Sequence, residues 1–136
     1  MTVVTTSRKP VPPLRTFSKD LAFALGARYT PRGKAGLSEV LIYDTEVVVV
    51  SKQGRNYLIQ LYVNEEPVAS CNFSSFVVDK RENDLVRGLR TGNQTVYEGM
   101  GQNLNVILAK YDGSENTLIF DGAQRRRYLL RLTHEA

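Results

Sequence analysis

TTSRKPVPPLRTFSKDLAFALGARYTPRGK, residues Thr5–Lys34, is the stretch from which the rest of the chain is placed. Thr2–Thr6, which leads into it, is rich in β-branched residues and predicts a short buried strand. Ser7–Val11 follows as a loop. Pro12 and Pro13 suit a first helical turn, where a proline's missing N–H has no helical partner to lose. Leu14, Phe17, Leu21, Ala24 and Leu25 then recur at helical spacing, and Gly26 supplies the stop. Arg15, Ser18 and Lys19 fall off that apolar stripe. The loop before the helix delivers Arg8 and Lys9 near the positive end of the helix dipole, where an anion is favoured.

The same stretch holds Arg8, Lys9, Arg15, Lys19, Arg28, Arg32 and Lys34, seven of the eighteen basic residues, against one acid, Asp20. Before Ala35 the net charge is +6; from Ala35 onward, eleven basic and thirteen acidic residues give −2. The basic character therefore belongs to one end of the chain. With Ser and Thr hydroxyls beside it, that asymmetry suggests a phosphate-rich partner.

A chain of 136 residues with 42% hydrophobic content is one domain, or two small halves sharing a core. It is long enough to bury roughly two-thirds of its surface. No run approaches the roughly 20 apolar residues of a membrane span, and Met1–Thr6 lacks a signal peptide's apolar centre. Cys71 has no second cysteine to pair with, which points to an intracellular, cytoplasmic protein.

Beyond the basic stretch, Arg28–Thr30 predicts a brief strand, Pro31–Gly36 a loop, and Leu37, Val40 and Leu41 a second helix. Glu46–Ser51, Asn56–Val63 and Val68–Val78 read as three strands separated by turns at Lys52–Arg55 and Asn64–Pro67. Asp79–Asp84 is a charged, solvated loop, and Leu85–Leu89 fits a helical turn or a strand equally. Thr91–Gln94 and Glu98–Gly101 carry turn chemistry. Leu104, Ile107, Leu108 and Tyr111 fall at helical spacing, ended by Asp112-Gly113. Thr117–Phe120 and Tyr128–Leu132 then form a hairpin, with Asp121-Gly122 as its turn signal.

No catalytic constellation is visible. His134, the only histidine, is a tail residue without a partner to orient it as a base. Cys71 reads as a small core side chain. One cysteine and one distant histidine do not make a metal site, and Gly99-Met100-Gly101 is not a phosphate-binding glycine motif. Neither an enzyme activity nor a metal or cofactor is expected.

The basic loops are different. Arg8 and Lys9 stand beside the hydroxyls of Thr5, Thr6 and Ser7, and Arg32 and Lys34 flank Gly33 in a second cationic loop. A solvated surface is the plain alternative for both. Arg125, Arg126 and Arg127 form a third cluster at the start of a strand. Alternation sends Arg125 and Arg127 to one face and Arg126 to the other, and charges there equally suit a guarded sheet edge. If Thr2–Thr6 and Arg28–Thr30 are parallel neighbours, the two N-terminal loops share one end of the sheet only through a further crossover.

TTSRKP, the helix containing LRTFSKDLAFAL, RGK and the apolar helix after it resemble the Brix domain in order and spacing over Thr5–Leu41. LIFDG and RRRYLLRL, between Leu118 and Leu132, resemble that family's closing strands more loosely. The most similar members are compact, single-domain archaeal proteins related to a component of the eukaryotic small-subunit processome. The resemblance implies an α/β (α+β) fold with a mixed sheet and helices, in one domain over 1–136 with two similar halves, 1–78 and 79–136. That fold is related to the anticodon-binding domain of class II aminoacyl-tRNA synthetases. It also implies a ribosome biogenesis role through binding of ribosomal RNA precursor during rRNA processing, with ribosomal proteins or other assembly factors as further partners. No catalysis, cofactor, membrane or small-molecule substrate is implied. Carried onto this chain, the basic N-terminal motif falls on Ser7, Arg8, Lys9 and Pro10, and RGK on Arg32, Gly33 and Lys34. The expected RNA-binding set is Ser7, Arg8, Lys9, Arg15, Lys19, Arg32, Lys34, Arg125, Arg126 and Arg127. The helix after RGK is short and the chain is shorter than is usual in the family, so the loops around Tyr43 and Arg90 are expected to be trimmed. Two rival expectations are a protein-interaction scaffold that offers a strand edge within Asn56–Val78, and a tRNA anticodon-binding module by fold analogy.

Overall fold

In the computed structural model, which describes residues 2–133, the β-branched run Val47–Val50 is buried within one mixed sheet. His134 lies outside the described residues. The elements are β1 (Thr2–Thr6), α1 (Pro12–Leu25), β2 (Arg28–Tyr29), α2 (Leu37–Val40), β3 (Glu46–Gln53), β4 (Asn56–Val63), β5 (Glu66–Lys80), β6 (Leu89–Thr91), α3 (Gln94–Met100), β7 (Val106–Leu108), β8 (Thr117–Asp121) and β9 (Arg126–Leu132). Among the described residues the strand order is β2-β1-β3-β4-β5-β9-β8-β6-β7. β1 pairs in parallel with β2 and β3, and β6 in parallel with β7; the other ladders are antiparallel. Each outer flank is therefore a β-α-β unit, and β5 joins the flanks by pairing with β4 early and β9 late.

Three expectations change. The segment Leu104–Tyr111, expected to be a helix, instead contains the short edge strand β7 at Val106–Leu108, with Ile107 in it and Tyr111 beyond it exposed. The helix of this half lies earlier, at α3, within segments read as turns. Asn93 caps it by accepting the Val96 N–H, the role that makes Asn as common at helix starts as in turns. Gly99 breaks no helix; a Cβ there would come within 3.2 Å of the Ala69 Cβ, so the glycine lets α3 sit close on β5. Second, the strand edge expected within Asn56–Val78 is confined to β5: β4 is flanked by β3 and β5, whereas β5 pairs with β4 only over Glu66–Phe73 and with β9 only over Phe73–Lys80, which leaves one side of each stretch without a strand partner among the described residues. Third, the charged loop starts later than Asp79, because β5 continues to Lys80, and Leu85–Leu89 is irregular until β6 begins at Leu89.

One apolar core lies between the sheet and the two longer helices. Phe17 of α1 is its centre, with ring centroids 5.0–5.5 Å from Phe73, Phe76, Phe120 and Tyr128. Those four rings come from β5, β8 and β9, so α1 packs on both halves of the chain. A smaller cluster of Leu41, Val47 and Val49 covers the opposite face beneath α2.

Polar contacts fix the same helix. Asp20 is 1% exposed and accepts from Arg126 Nε at 2.7 Å, Arg126 Nη2 at 3.0 Å, the Ala123 N–H at 3.0 Å and the Tyr128 hydroxyl. The Asp20 hydrogen bond raises the Arg126 guanidinium above its ordinary range, and burial raises the Tyr128 phenol. Gly122 makes the fit possible, since a Cβ there would lie 2.5 Å from the Asp20 Cβ. The positive φ angles of the hairpin fall instead on Gln124 and Arg125, at 53° and 61°. Asp121-Gly122 thus ends β8 without forming the corner of the turn. Farther along, Arg87 donates to the Phe23 carbonyl and Gly88 N–H to that of Ala24, closing the second half against the end of α1.

On the other face Asp121 is fully buried and accepts from Arg90, Arg127 and the Val86 N–H. Burial alone would raise this carboxyl, but the Arg127 hydrogen bond, the Val86 N–H and the charges of Arg90 and Arg127 outweigh it and hold it below its ordinary value. A carboxyl lowered in this way binds protons more tightly when unfolded. Its contribution is full above the ordinary value of 3.8 and is lost as the pH falls through the folded value. Urea unfolding from neutral to acid pH should show stability dropping below that point, and Asp121→Asn should flatten the drop while lowering stability at neutral pH. A second expectation concerns the Asp20 cluster. Asp20→Ala removes the ion pair of Arg126 and the acceptor of the Tyr128 hydroxyl and should cost about 3 kcal/mol in equilibrium unfolding, the low end for a broken buried pair because Arg126 remains partly exposed and keeps its Gln124 contact.

Candidate nucleic-acid interface

β1 and β2 lie side by side and run the same way, with Val3 opposite Arg28 and Val4 opposite Tyr29. Neighbouring parallel strands end together, so the loops that follow them emerge at one end of the sheet. Ser7–Val11 and Thr30–Gly36 therefore adjoin without a further crossover, contrary to the expectation from sequence. β3 is also parallel to β1, and Ser7 N–H donates to the Val50 carbonyl at 2.9 Å. The β3–β4 turn thus lies at that end too. Exposed Lys52 at the end of β3 and Arg55 in the turn are two cations outside the set expected from the sequence.

Arg32 joins the loops. Its Nη1 donates to the Thr6 carbonyl at 2.9 Å and its Nε to the Ala35 carbonyl at 2.7 Å. The Thr30 N–H reaches the Val4 carbonyl at 2.9 Å. Arg32 is thus partly spent on architecture, whereas Arg8, Lys9 and Lys34 are exposed. Lys9 holds a left-handed backbone with φ 54°, and Gly33 does so at 58°. Both residues line the space between the two basic loops.

Between the loops and α1 lies a cavity of about 420 Å³ lined by Thr6, Lys9, Arg15, Lys19, Tyr29 and Arg32, together with Pro10, Pro31 and Gly33. A second hollow, lined by Arg8, Lys9, Gly33 and Lys34, shares Lys9 and Gly33 with it. Arg15 and Lys19 reach the first cavity from the exposed side of α1, one turn apart. Lys19 Nζ stands 5.8 Å from the centroid of the Tyr29 ring. Burial raises the Tyr29 phenol above its ordinary range against the opposing charge of Arg15. Among the described residues no acidic side chain lines either hollow.

The start of α1 contributes less than its dipole suggested. Pro12 and Pro13 carry no N–H, and those of Leu14 and Arg15 donate to the Val11 carbonyl. An anion here meets side chains instead of free backbone donors. Ser18, expected off the apolar stripe, is fully buried and donates to the Leu14 carbonyl. Asp20, the one acid of the stretch, is the residue the sequence reading passed over. Its position one residue from Leu21 gave it no distinguishing signal except its isolation among cations.

The Arg125–Arg127 cluster lies elsewhere. Three strands separate β9 from β1, and none of the three arginines lines the two hollows. Arg125 belongs to the turn, not the strand; Arg126 pairs with Asp20 and Arg127 with Asp121. Cys71 is buried, and its thiol is pushed up to about 12 by desolvation, as in an inert core cysteine. Among the described residues no group of three His, Cys, Asp or Glu side chains is placed to hold a metal ion, and no helix is long and apolar enough to cross a membrane.

No protein-family model matches the chain, and no curated protein sequence matches it significantly. Solved structures do. The crystal structure of Mil (Mth680), an archaeal Imp4-like protein, superposes with a TM-score of 0.68 at 23% identity, covering 97% of each chain. That of a probable ribosomal biogenesis protein from Aeropyrum pernix K1 gives 0.63 at 21% identity, covering 99% of this chain and 96% of that one. The chain shares their fold. It is a mixed α/β architecture over essentially the whole length of each, the class expected from the sequence.

The Arg32 brace has a direct check. Arg32→Ala should raise amide exchange at Thr30 and Ala35 by about tenfold, the worth of one to two hydrogen bonds at roughly 1 kcal/mol each, while Lys34→Ala leaves it unchanged.

Proposed function

We propose that this chain is a ribosome biogenesis factor, a single Brix domain over 1–136 that binds ribosomal RNA precursor, in small-subunit processing, through the cationic hollows between β1, β2 and α1. The observation that carries the reading is the meeting of Arg8, Lys9, Arg15, Lys19 and Lys34 around two adjoining hollows that no acid lines among the described residues. The shared fold supports it too, since one neighbour is named as a probable ribosomal biogenesis protein and the other as Imp4-like. In this reading Arg32 and Ser7 shape the loops, and Arg125 is the freest of the C-terminal arginines to touch a phosphate. Arg126 and Arg127 act chiefly as ion-pair partners. No catalytic step and no cofactor is proposed.

Contacts of this kind position a backbone without reading sequence, so recognition rests on RNA shape and on unpaired bases. With about five phosphate contacts, log K for a ribosomal RNA fragment should fall against log salt with a slope of roughly −3.5 to −4.5. A slope near zero contradicts the mechanism.

A protein-interaction scaffold is the rival favoured by one observation. Leu37, Ile42 and Tyr43 form an exposed apolar patch around α2, with Ile42 68% exposed. The double reversal Arg8→Glu, Lys9→Glu separates the two. It should abolish binding to ribosomal RNA fragments if the hollows bind RNA, and should leave the assembly role intact if that role is protein contact. Crosslinking in cells followed by sequencing of the bound RNA should enrich ribosomal RNA precursors; enrichment of tRNA instead would favour an anticodon-binding type of module.

A further inference from the structure

The cationic hollow under Lys9 is larger than a phosphate requires. Its volume of about 420 Å³ falls within the roughly 300–1,000 Å³ typical of small-ligand sites. It is also not uniformly polar. Tyr29 stands in its wall with the face of the ring turned toward the space that Lys19 occupies, 5.8 Å from the centroid. The ring is pinned from behind, since Tyr29 packs on the main core and its backbone pairs with Val4 of β1. The wall is therefore a fixed aromatic surface with mobile cations, Lys9, Arg15 and Lys19, around its rim.

We propose that this hollow holds one unpaired nucleotide of an RNA chain, its base stacked on Tyr29 and its phosphates on Lys9, Arg15 and Lys19. This rests on the RNA-binding reading above and goes beyond it by naming the form of RNA. An A-form duplex presents its phosphates on a convex surface and keeps its bases stacked inside, so it lies across the rim without entering. A splayed base enters, displaces the Lys19 ammonium from the ring face, and lets that ammonium move to a flanking phosphate. Stacking on an aromatic face tolerates any base, so the pocket favours single strands without demanding a sequence. The neighbouring hollow at Arg8 and Lys34, which shares Lys9, gives the next phosphate a place along the same path.

The test compares a fluorescein-labelled single-stranded decauridylate with a duplex RNA of the same length, by anisotropy, on the wild type and three variants. Tyr29→Leu should weaken the single strand by about 5- to 150-fold, the range for one stacked base, and leave the duplex unchanged. Tyr29→Phe keeps the ring and should keep both affinities. Arg15→Glu should weaken both RNAs. Unchanged duplex affinity in Tyr29→Leu also reports that the variant is folded. Equal losses for the two RNAs in Tyr29→Leu, with Tyr29→Phe behaving as wild type, would overturn the pocket while leaving backbone binding in place. So would single-strand affinity that ignores Tyr29. If neither RNA binds the wild type, the RNA-binding reading fails and the pocket fails with it. Displacement of the decamer by micromolar uridine monophosphate would assign the hollow to a free nucleotide and overturn the proposal as stated.

Discussion

A carboxylate withdrawn from water is tolerated only where donors surround it, and Asp20 meets that demand on the inner side of α1. Its partners, Arg126, Tyr128 and Ala123, all belong to the β8–β9 hairpin or its loop, more than a hundred residues away in sequence. The first helix is therefore held against the sheet by the last hairpin. Phe17, one turn earlier, repeats the constraint with apolar atoms against Phe120 and Tyr128. Packing and charge together set the angle at which α1 crosses the sheet.

That angle has an electrostatic consequence. Asp20 is the only acid among seven cations between Thr5 and Lys34, and its charge is spent inside on Arg126. Arg15 and Lys19, on the outer side of the same helix, are left facing Lys9 without a counter-ion from their own stretch. The parallel pairing of β1 with β2 then brings the second basic loop to the same end, and Arg32 fastens it to Thr6. The positive surface thus follows from burying one negative charge and from the direction of two short strands.

Much of this was legible in the sequence, for identifiable reasons. α1 combined a proline start, a regular apolar spacing and a glycine stop, and it was read to within a residue at its ends. β3 and β4 were clear because β-branched and aromatic residues flank a short turn. The second half was harder to read. Leu104, Ile107, Leu108 and Tyr111 mimic a helical stripe, yet Ile107 and Tyr111 face solvent and the segment pairs as β7. Asn93 and the glycines near Met100 read as turns because the same residues serve as caps and as close-packing positions. At the site, the cations were visible but their meeting was not, since adjacency depends on strand direction. The ion pairs of Arg126 and Arg127 were equally hidden, because their partners lie in the distant helix α1 and across a hairpin. Tyr29 carries no distinguishing signal in the sequence, since only the cavity beside it sets it apart.

The proposed RNA contact lies at the end of β1 and β2, over the outer side of α1. Ultraviolet crosslinking of the purified protein to a ribosomal RNA fragment, followed by mass spectrometry of the crosslinked peptides, locates it. Crosslinks are expected in Ser7–Lys19 and Tyr29–Lys34, with Tyr29 itself among them. Crosslinks confined to the open face of the sheet, at Leu58, Val77 or Arg131, would contradict it.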